Sequence, residues 1–587
     1  MATIKGLTAK EILDSRGNPT IQVDLELDSG ETVSTSVPNG IRPYPSEAKV
    51  LLDQDPEHKG GRGVQKAVNL INQTFAPQIV GQDPTQQETI DQLLLQLDGT
   101  PDKAQVGANT LIAISQAVAK SGAVASQLEL YEYLLQKYQL TDHTAIPVCL
   151  YGLINGGQYG ADNLDIQEFL VIPASHIDYR VSLEIESALR TILQDILKER
   201  KANYAMGELG GFTPSLQKNS DVFEFIVEAA RKTAYILARD FFFGIDTGAE
   251  QLLDKSKYLI KDKSTAYSEN ELAEYYKDLQ KQYSLTYFED PFVAKDTRSW
   301  QSFTADLGKT ARVASDILTA TNPQLVQSAS QNQLANTLVV KPSQIGTLTE
   351  TLESVRIAKK AGWSIVVSQR TGETNDDFLA DLAVGIGAEF VKFGPTNRGE
   401  AVAKYNRLAD IYLKLEENIK KGTNMQTDQP TGNNPTSPGT STNNSQPATP
   451  MTPSAPPLPT AQPSAPAEKP AETPAINEQV SLGDTDAVTN PTNTPSAPAA
   501  PPASMPSAPA MPKPGEALIN TPPMAAPMTP PAPPAEPVAQ EPPAEAEVQK
   551  TIDHTLQEIG ATQPTPSAPP APAVESVTPP ATGDKSL

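Results

Sequence analysis

The chain has 587 residues and a formal net charge of −24, and its 54 prolines are unevenly spread: 15 precede Gly422, leaving 39 for the last 165 residues. That final stretch holds 15 acids against 4 bases and not one Phe, Tyr or Trp, so it is expected to be disordered, without an apolar core. Both parts are acidic, which argues against nucleic acid as a main partner; the single Cys149 excludes an intramolecular disulfide, and no run approaches the roughly 18 apolar residues of a membrane span. The start MATIKGLTAKEI lacks the apolar stretch of a secretory signal, which makes the cytoplasm the expected compartment. In chain order, residues 2–37 alternate as strands do (IQVDLEL, ETVSTSV) around the turn Asp28-Ser29-Gly30. Three helical patterns follow: AVNLINQTFAPQIV, TIDQLLLQLD and NTLIAISQAVAKSGAVA. Together they predict an α+β capping domain over residues 1–140.

From residue 141 the pattern changes. Short apolar runs recur: FLVIP, FFFGID to Asp246, LTYFED to Glu289 and Asp290, RVASD to Asp316, TLVVK to Lys341, SIVVSQR to Arg370 and FVK to Lys392. Helical segments such as TLTETLESVRIAKKAG and DDFLADLAVGIG lie between them. Near-continuous apolar strands alternating with helices are what a parallel sheet covered on both faces requires, and so many repeats predict a (β/α) barrel over residues 141–421. In such barrels the C-terminal strand ends carry the chemistry.

Read this way, Asp246, Glu289 and Asp316 converge on one mouth with Lys341, Arg370 and Lys392. Three carboxylates without Cys or His suit a hard oxygen-liganded cation, most simply Mg²⁺; taken singly, each is equally a helix cap or an ion-pair partner. Lys341 has two readings. Beside a metal and other cations its ammonium form is disfavoured, which suits a general base; the alternative is a lysine that only binds phosphate.

These residues, with EILDSRGNPT (11–20), LINGG (153–157), DIQEF (165–169), FED (288–290), TLVVKPSQIGTLTET (337–351), SQRTGET (368–374) and VAKYNRL (402–408), resemble the enolase family. The resemblance is colinear over about residues 3–415. It implies an enolase-type (β/α)8 barrel with an N-terminal α+β cap, commonly a homodimer, that dehydrates 2-phosphoglycerate to phosphoenolpyruvate in glycolysis using Mg²⁺. By position it implies Asp246, Glu289 and Asp316 as metal ligands and Lys341 as the base. Gln167, Arg370, Thr371 and Lys392 would contact substrate, and Glu168 would lie near the leaving hydroxyl.

The stretch MGELGGFTP (206–214) departs from that pattern. The family reads GDEGG there, its second acid donating a proton to the leaving hydroxyl, and here Leu209 stands in that place. Glu208 is adjacent, but neighbours on an extended stretch point to opposite sides. Tyr159 and Gln369 stand where the family has histidines, Thr371 stands where serine is usual, and NGIRPYP, with Pro43 and Pro45, replaces the mobile loop SGAST. The base side of the chemistry is thus kept and the leaving-group side replaced. Three outcomes follow: an enolase with impaired turnover, an enzyme exchanging the α-proton of another carboxylate, or a binding or scaffold protein on an inherited fold.

Residues 422–587 alternate Pro, Ala, Ser and Thr, which favours extended chain. One island, AEAEVQKTIDHTLQEIG (544–560), sets Val548, Ile552, Leu556 and Ile559 at helical spacing, a candidate amphipathic helix that would order on a protein partner.

Overall fold

The computed structural model describes residues 2–40, 44–57, 59–160 and 164–427. Residues 422–427, expected to begin the tail, continue the helix Gly399–Thr427; the rest of the tail, including the helix expected at 544–560, and Pro43 lie outside the described residues. Three antiparallel strands open the fold: β1 (Ile4–Leu13), β2 (Pro19–Leu27) and β3 (Thr32–Ser36), in the order β1-β2-β3. Alternation dictates the face they bury: Ile21, Val23, Leu25 and Leu27 of β2 all point into the cap core. Helices cover that face at Gln65–Leu70, Ala76–Ile79, Gln87–Asp98 and Ala108–Ala125, the three helical patterns expected there. The first two join through a wide π turn at Ile71–Phe75, just ahead of Pro77, whose ring and missing N–H disturb the regular ladder.

The second part is a closed barrel. After β4 (Val148–Cys149) and β5 (Tyr151–Asn155) come β6 (Glu168–Pro173) and β7 (Phe241–Asp246); a small hairpin, β8 (Leu253–Asp254) and β9 (Lys257–Tyr258), stands apart. The rest are β10 (Leu285–Glu289), β11 (Arg312–Ser315), β12 (Thr337–Val340), β13 (Ser364–Ser368) and β14 (Phe390–Lys392). The sheet order is β4-β14-β13-β12-β11-β10-β7-β6-β5. Leu150 donates its N–H to the Val391 carbonyl at 2.8 Å, so the run 148–155 pairs with β14 at its start and β6 at its end, which closes the ring.

All seven apolar runs read from the sequence are strands, but the expectation of a wholly parallel sheet fails at β6, which runs antiparallel to both β5 and β7. The link from β5 to β6, residues 156–167, is shorter than a crossover that would return a parallel strand, so the chain folds straight back. The reversal has a consequence for the mouth. It sets the first residue of β6, Glu168, opposite the last residue of β7, Asp246.

Period-2 alternation then layers the interior. Leu150, Leu170, Ile172, Tyr287, Ala314, Val339 and Val366 form an apolar plug inside the barrel. Two residues further along each strand, on the same face, stand the charged groups: Glu168 past Leu170, Glu289 past Tyr287, Asp316 past Ala314 and Lys341 past Val339. The charged layer rests on an oily floor.

Candidate active site

Above that floor opens a cleft of about 700 Å³, its mouth included, whose walls contain Gln167, Glu168, Leu209, Asp246, Asp316, Lys341, Arg370, Thr371 and Lys392. Glu289, fully buried, lies at its base through Lys392. The structure therefore brings the expected metal-ligand, base and substrate-contact residues to one place, whereas Glu208, Asn39 and Pro45 are not part of the wall.

Lys392 is the hub. Its ammonium donates to Asp246 Oδ2 at 2.8 Å and Glu289 Oε1 at 2.7 Å, and stands 3.4 Å from Glu168 Oε2. Burial opposes its charge, yet Asp246, Glu289 and Glu168 hold its pKa well above the ordinary value. Lys341 pairs with Asp316, which also accepts from Gln344 Nε2 at 2.8 Å. Gln167 donates to Asp246 Oδ2 at 3.3 Å and accepts from Gln251 at 2.8 Å.

The carboxyls outnumber the cations that face them. Glu168, Asp246, Glu289, Asp290 and Asp316 are all buried, and among the described residues the two ammonium groups of Lys341 and Lys392 are the ones that pair with them. Burial, with repulsion from Asp246, lifts the Glu289 carboxyl to about 7 against the pull of Lys392. Burial also raises Asp246 and Glu168, and raises Asp290 well above the ordinary carboxylate range with Asp316 and Glu289 adding to it. Asp316 goes the other way: despite burial, the Lys341 ammonium holds it below its usual value.

Among the described residues no three His, Cys, Asp or Glu side chains close on one point as metal ligands, because the two ammonium groups sit between the carboxylates. By chemistry the donor set still fits a divalent cation. Asp246, Glu289 and Asp316 are hard oxygen donors in a pocket with excess negative charge, which is where Mg²⁺ is favoured.

Burial disfavours the Lys341 ammonium and Lys392 repels it, yet Asp316, with Glu289, raises its pKa above the ordinary lysine value. The lowering expected from the sequence was for Lys341 beside a bound metal as well as other cations.

The wall around Leu209 is built from loops. Leu209 sits in a turn in which Gly210 N–H reaches the Gly207 carbonyl at 3.1 Å and Gly207 N–H reaches Gly211 O at 2.7 Å; Gly210 has φ +99°, a conformation side chains rarely adopt. Glu208 N–H is held by the Tyr159 carbonyl at 3.0 Å, and its carboxylate turns to Arg16 Nη1 of the cap at 2.7 Å. Leucine faces the cleft; glutamate is tethered elsewhere. Tyr159 and Gln369 both line the cleft, whereas Asn39, which heads NGIRPYP, is buried on the Pro19 carbonyl. Glu168 has room because β5 offers it a glycine: a Cβ on Gly152 would lie 2.5 Å from Glu168 Oε1.

Sequence reading missed Tyr44, Glu47 and Gln344, which also form the wall. Gln344 follows Lys341 within the motif already quoted and was within reach; Tyr44 and Glu47 come from the cap and carry no local signal.

A closed barrel under an α+β cap, with carboxylates and lysines gathered on its strand ends, defines the class of fold. Family models agree: residues 4–134 match the enolase N-terminal domain and 143–429 the enolase C-terminal TIM barrel domain. Among relatives, an enolase of Ehrlichia canis (strain Jake) is 38% identical over 414 residues, 70% of this chain and 97% of the relative. An enolase of Ehrlichia ruminantium (strain Welgevonden) is 39% identical over 415 residues, 70% and 97%, and one of Anaplasma phagocytophilum (strain HZ) 37% over 419 residues, 71% and 95%. The chain belongs to the enolase family.

Proposed function

We propose that this protein binds 2-phosphoglycerate with Mg²⁺, removes its C2 proton and expels the C3 hydroxyl slowly. The observation carrying this reading is the asymmetry of the cleft: Lys341, Lys392, Arg370 and the carboxylates are in place, while Leu209 faces the leaving-group side and Glu208 is turned to Arg16. Asp246, Glu289 and Asp316 would hold Mg²⁺, which supplies positive charge against the substrate carboxylate. Lys341 is the base. Asp316 and Glu289 hold its proton in the structure, and drawing both carboxylates to a cation would leave burial and Lys392, which favour the neutral amine.

Arg370 and Lys392 hold the anionic groups, and Gln167 and Thr371 supply neutral hydrogen bonds. On the far wall Glu168 is the carboxyl left to protonate the departing hydroxyl, and burial raises its pKa against the pull of Lys392. Losing a dedicated general acid typically removes about 10²- to 10⁴-fold in rate. In D₂O, deuterium should therefore enter C2 of 2-phosphoglycerate faster than phosphoenolpyruvate forms, and Leu209→Glu should raise phosphoenolpyruvate formation by about 10² or more. Product at an undiminished rate in wild type, with no gain in Leu209→Glu, would overturn the proposal.

The same asymmetry favours a second reading, an α-proton exchange enzyme for another carboxylate; it predicts deuterium uptake without any dehydration. We also propose a homodimer. Leu13 and Met206 are large and exposed, at segments joined by Arg398 Nη2 on the Ser15 carbonyl (3.1 Å) and Asn397 Nδ2 on Met206 Sδ (3.6 Å). Sedimentation equilibrium at monomer mass would refute it.

A further inference from the structure

The cap segment 44–48 crosses the barrel mouth and is fastened to three loops in turn. Ser46 Oγ donates to the Ile317 carbonyl at 2.9 Å, the Ala48 N–H donates to the Gln344 carbonyl at 2.9 Å, and the Glu47 carboxylate pairs with Nη2 of Arg370. Ile317, Gln344 and Arg370 follow β11, β12 and β13. Both members of the ion pair are buried, Glu47 at 5% and Arg370 at 9% exposure, and both belong to the cleft wall.

The guanidinium is a rigid planar fork, so fixing one nitrogen fixes the direction of the others. Glu47 takes Nη2. Nη1 is buried and has no hydrogen-bond partner among the described residues. A charged donor enclosed without an acceptor is a vacancy that an anion can fill.

We propose that Glu47 is a positioning residue for Arg370: it clamps Nη2 so that Nη1 is presented to an anionic group of the ligand, which makes the cap part of the anion site. The inference rests on the reading of the cleft as a site for a phosphorylated acid. The opposite role, an internal anion that blocks Arg370, fits the geometry less well. Glu47 N–H is held by the Tyr44 carbonyl at 3.0 Å, and both neighbours, Ser46 and Ala48, are hydrogen-bonded to barrel loops, so the carboxylate is built in and does not yield its place. A preorganised support of this kind acts through binding and orientation.

The test is the dissociation constant of 2-phosphoglycerate, measured calorimetrically in Mg²⁺ on the full chain, for wild type, Glu47→Gln and Glu47→Asp. Glu47→Gln should weaken binding about tenfold or more, with Glu47→Asp recovering part of the loss because it keeps the charge. Unchanged affinity would reduce Glu47 to a structural role, and tighter affinity would make it a blocker; either overturns the proposal. If wild type itself does not bind 2-phosphoglycerate, the functional reading above fails, and Arg370 still reports on this one. Its side-chain Nε–H resonance should exchange slowly in wild type and be lost or averaged in Glu47→Gln. The same signal in both proteins would overturn the clamp.

Discussion

The two walls of the cleft are made differently. On the base side, Asp246, Glu289, Lys341 and Lys392 end or directly follow barrel strands, where the pleat decides which way each side chain points. On the leaving-group side, Tyr159 lies in a short turn, Leu209 in a glycine-rich one and Gln369 just past its strand. The departures from the family pattern fall on the loop-built wall. A residue on a loop can change without disturbing a sheet, whereas one on a strand end also holds its neighbours' charges, as Lys392 does for three carboxylates.

The sharpest way to break this contrast is Lys341→Ala. If the base wall is functional, deuterium uptake at C2 of 2-phosphoglycerate, followed by NMR, should fall by about 10²- to 10⁴-fold. Uptake that survives would erase the distinction between the walls.

Gly152→Ala strikes the other wall alone. Its new methyl would overlap Glu168 Oε1, costing about 1–3 kcal/mol in a denaturant titration. Phosphoenolpyruvate formation should fall while C2 exchange is largely kept; equal losses would argue that Glu168 serves both walls.

Any pH profile of the cleft must be separated from that of the cap–barrel joint. There Asp91 accepts from Thr349 N–H at 3.0 Å and Thr349 Oγ1 at 2.6 Å, capping the barrel helix Leu348–Lys360, and burial lifts its carboxyl to about 6. The unfolded chain releases this proton near 3.8, the folded chain near 6, so stability falls as pH rises between those values, on the order of 1 kcal/mol per pH unit. Asp91→Asn should flatten that slope in thermal melts at pH 4 to 6.5. A slope unchanged by the substitution would assign it to the cleft carboxyls.

The smallest expected effect is from Glu208→Gln. With its carboxylate on Arg16, dehydration should change by less than about twofold in a coupled assay, whereas a loss of 10² or more would make it the displaced acid after all.

Much of this was legible in the sequence because barrel strands buried on both faces read as unbroken apolar runs, and a charged residue at the end of most is conspicuous. The direction of β6 was not. FLVIP has the same alternation read either way, and only the shortness of residues 156–167 betrays the reversal. The strand Tyr151–Asn155 was hidden because Gly152 interrupts its apolar pattern, for a reason visible only once Glu168 stands against it. Glu47 was invisible for another reason: its partner Arg370 lies in the other domain, and nothing in SEAK announces an ion pair.

Lys392 gives Asp246 and Glu289 a resident counter-charge. Asp246 and Glu289 are neutralised in part by a group that never dissociates from the chain, so the folded barrel does not depend on dissolved cation to keep two carboxylates side by side. Were Asp246 and Glu289 to hold Mg²⁺ as proposed, its uptake would be an exchange in which a tethered ammonium gives up oxygen partners, and the affinity would be the difference between two attachments. Such a protein would keep its shape under chelator while losing its chemistry.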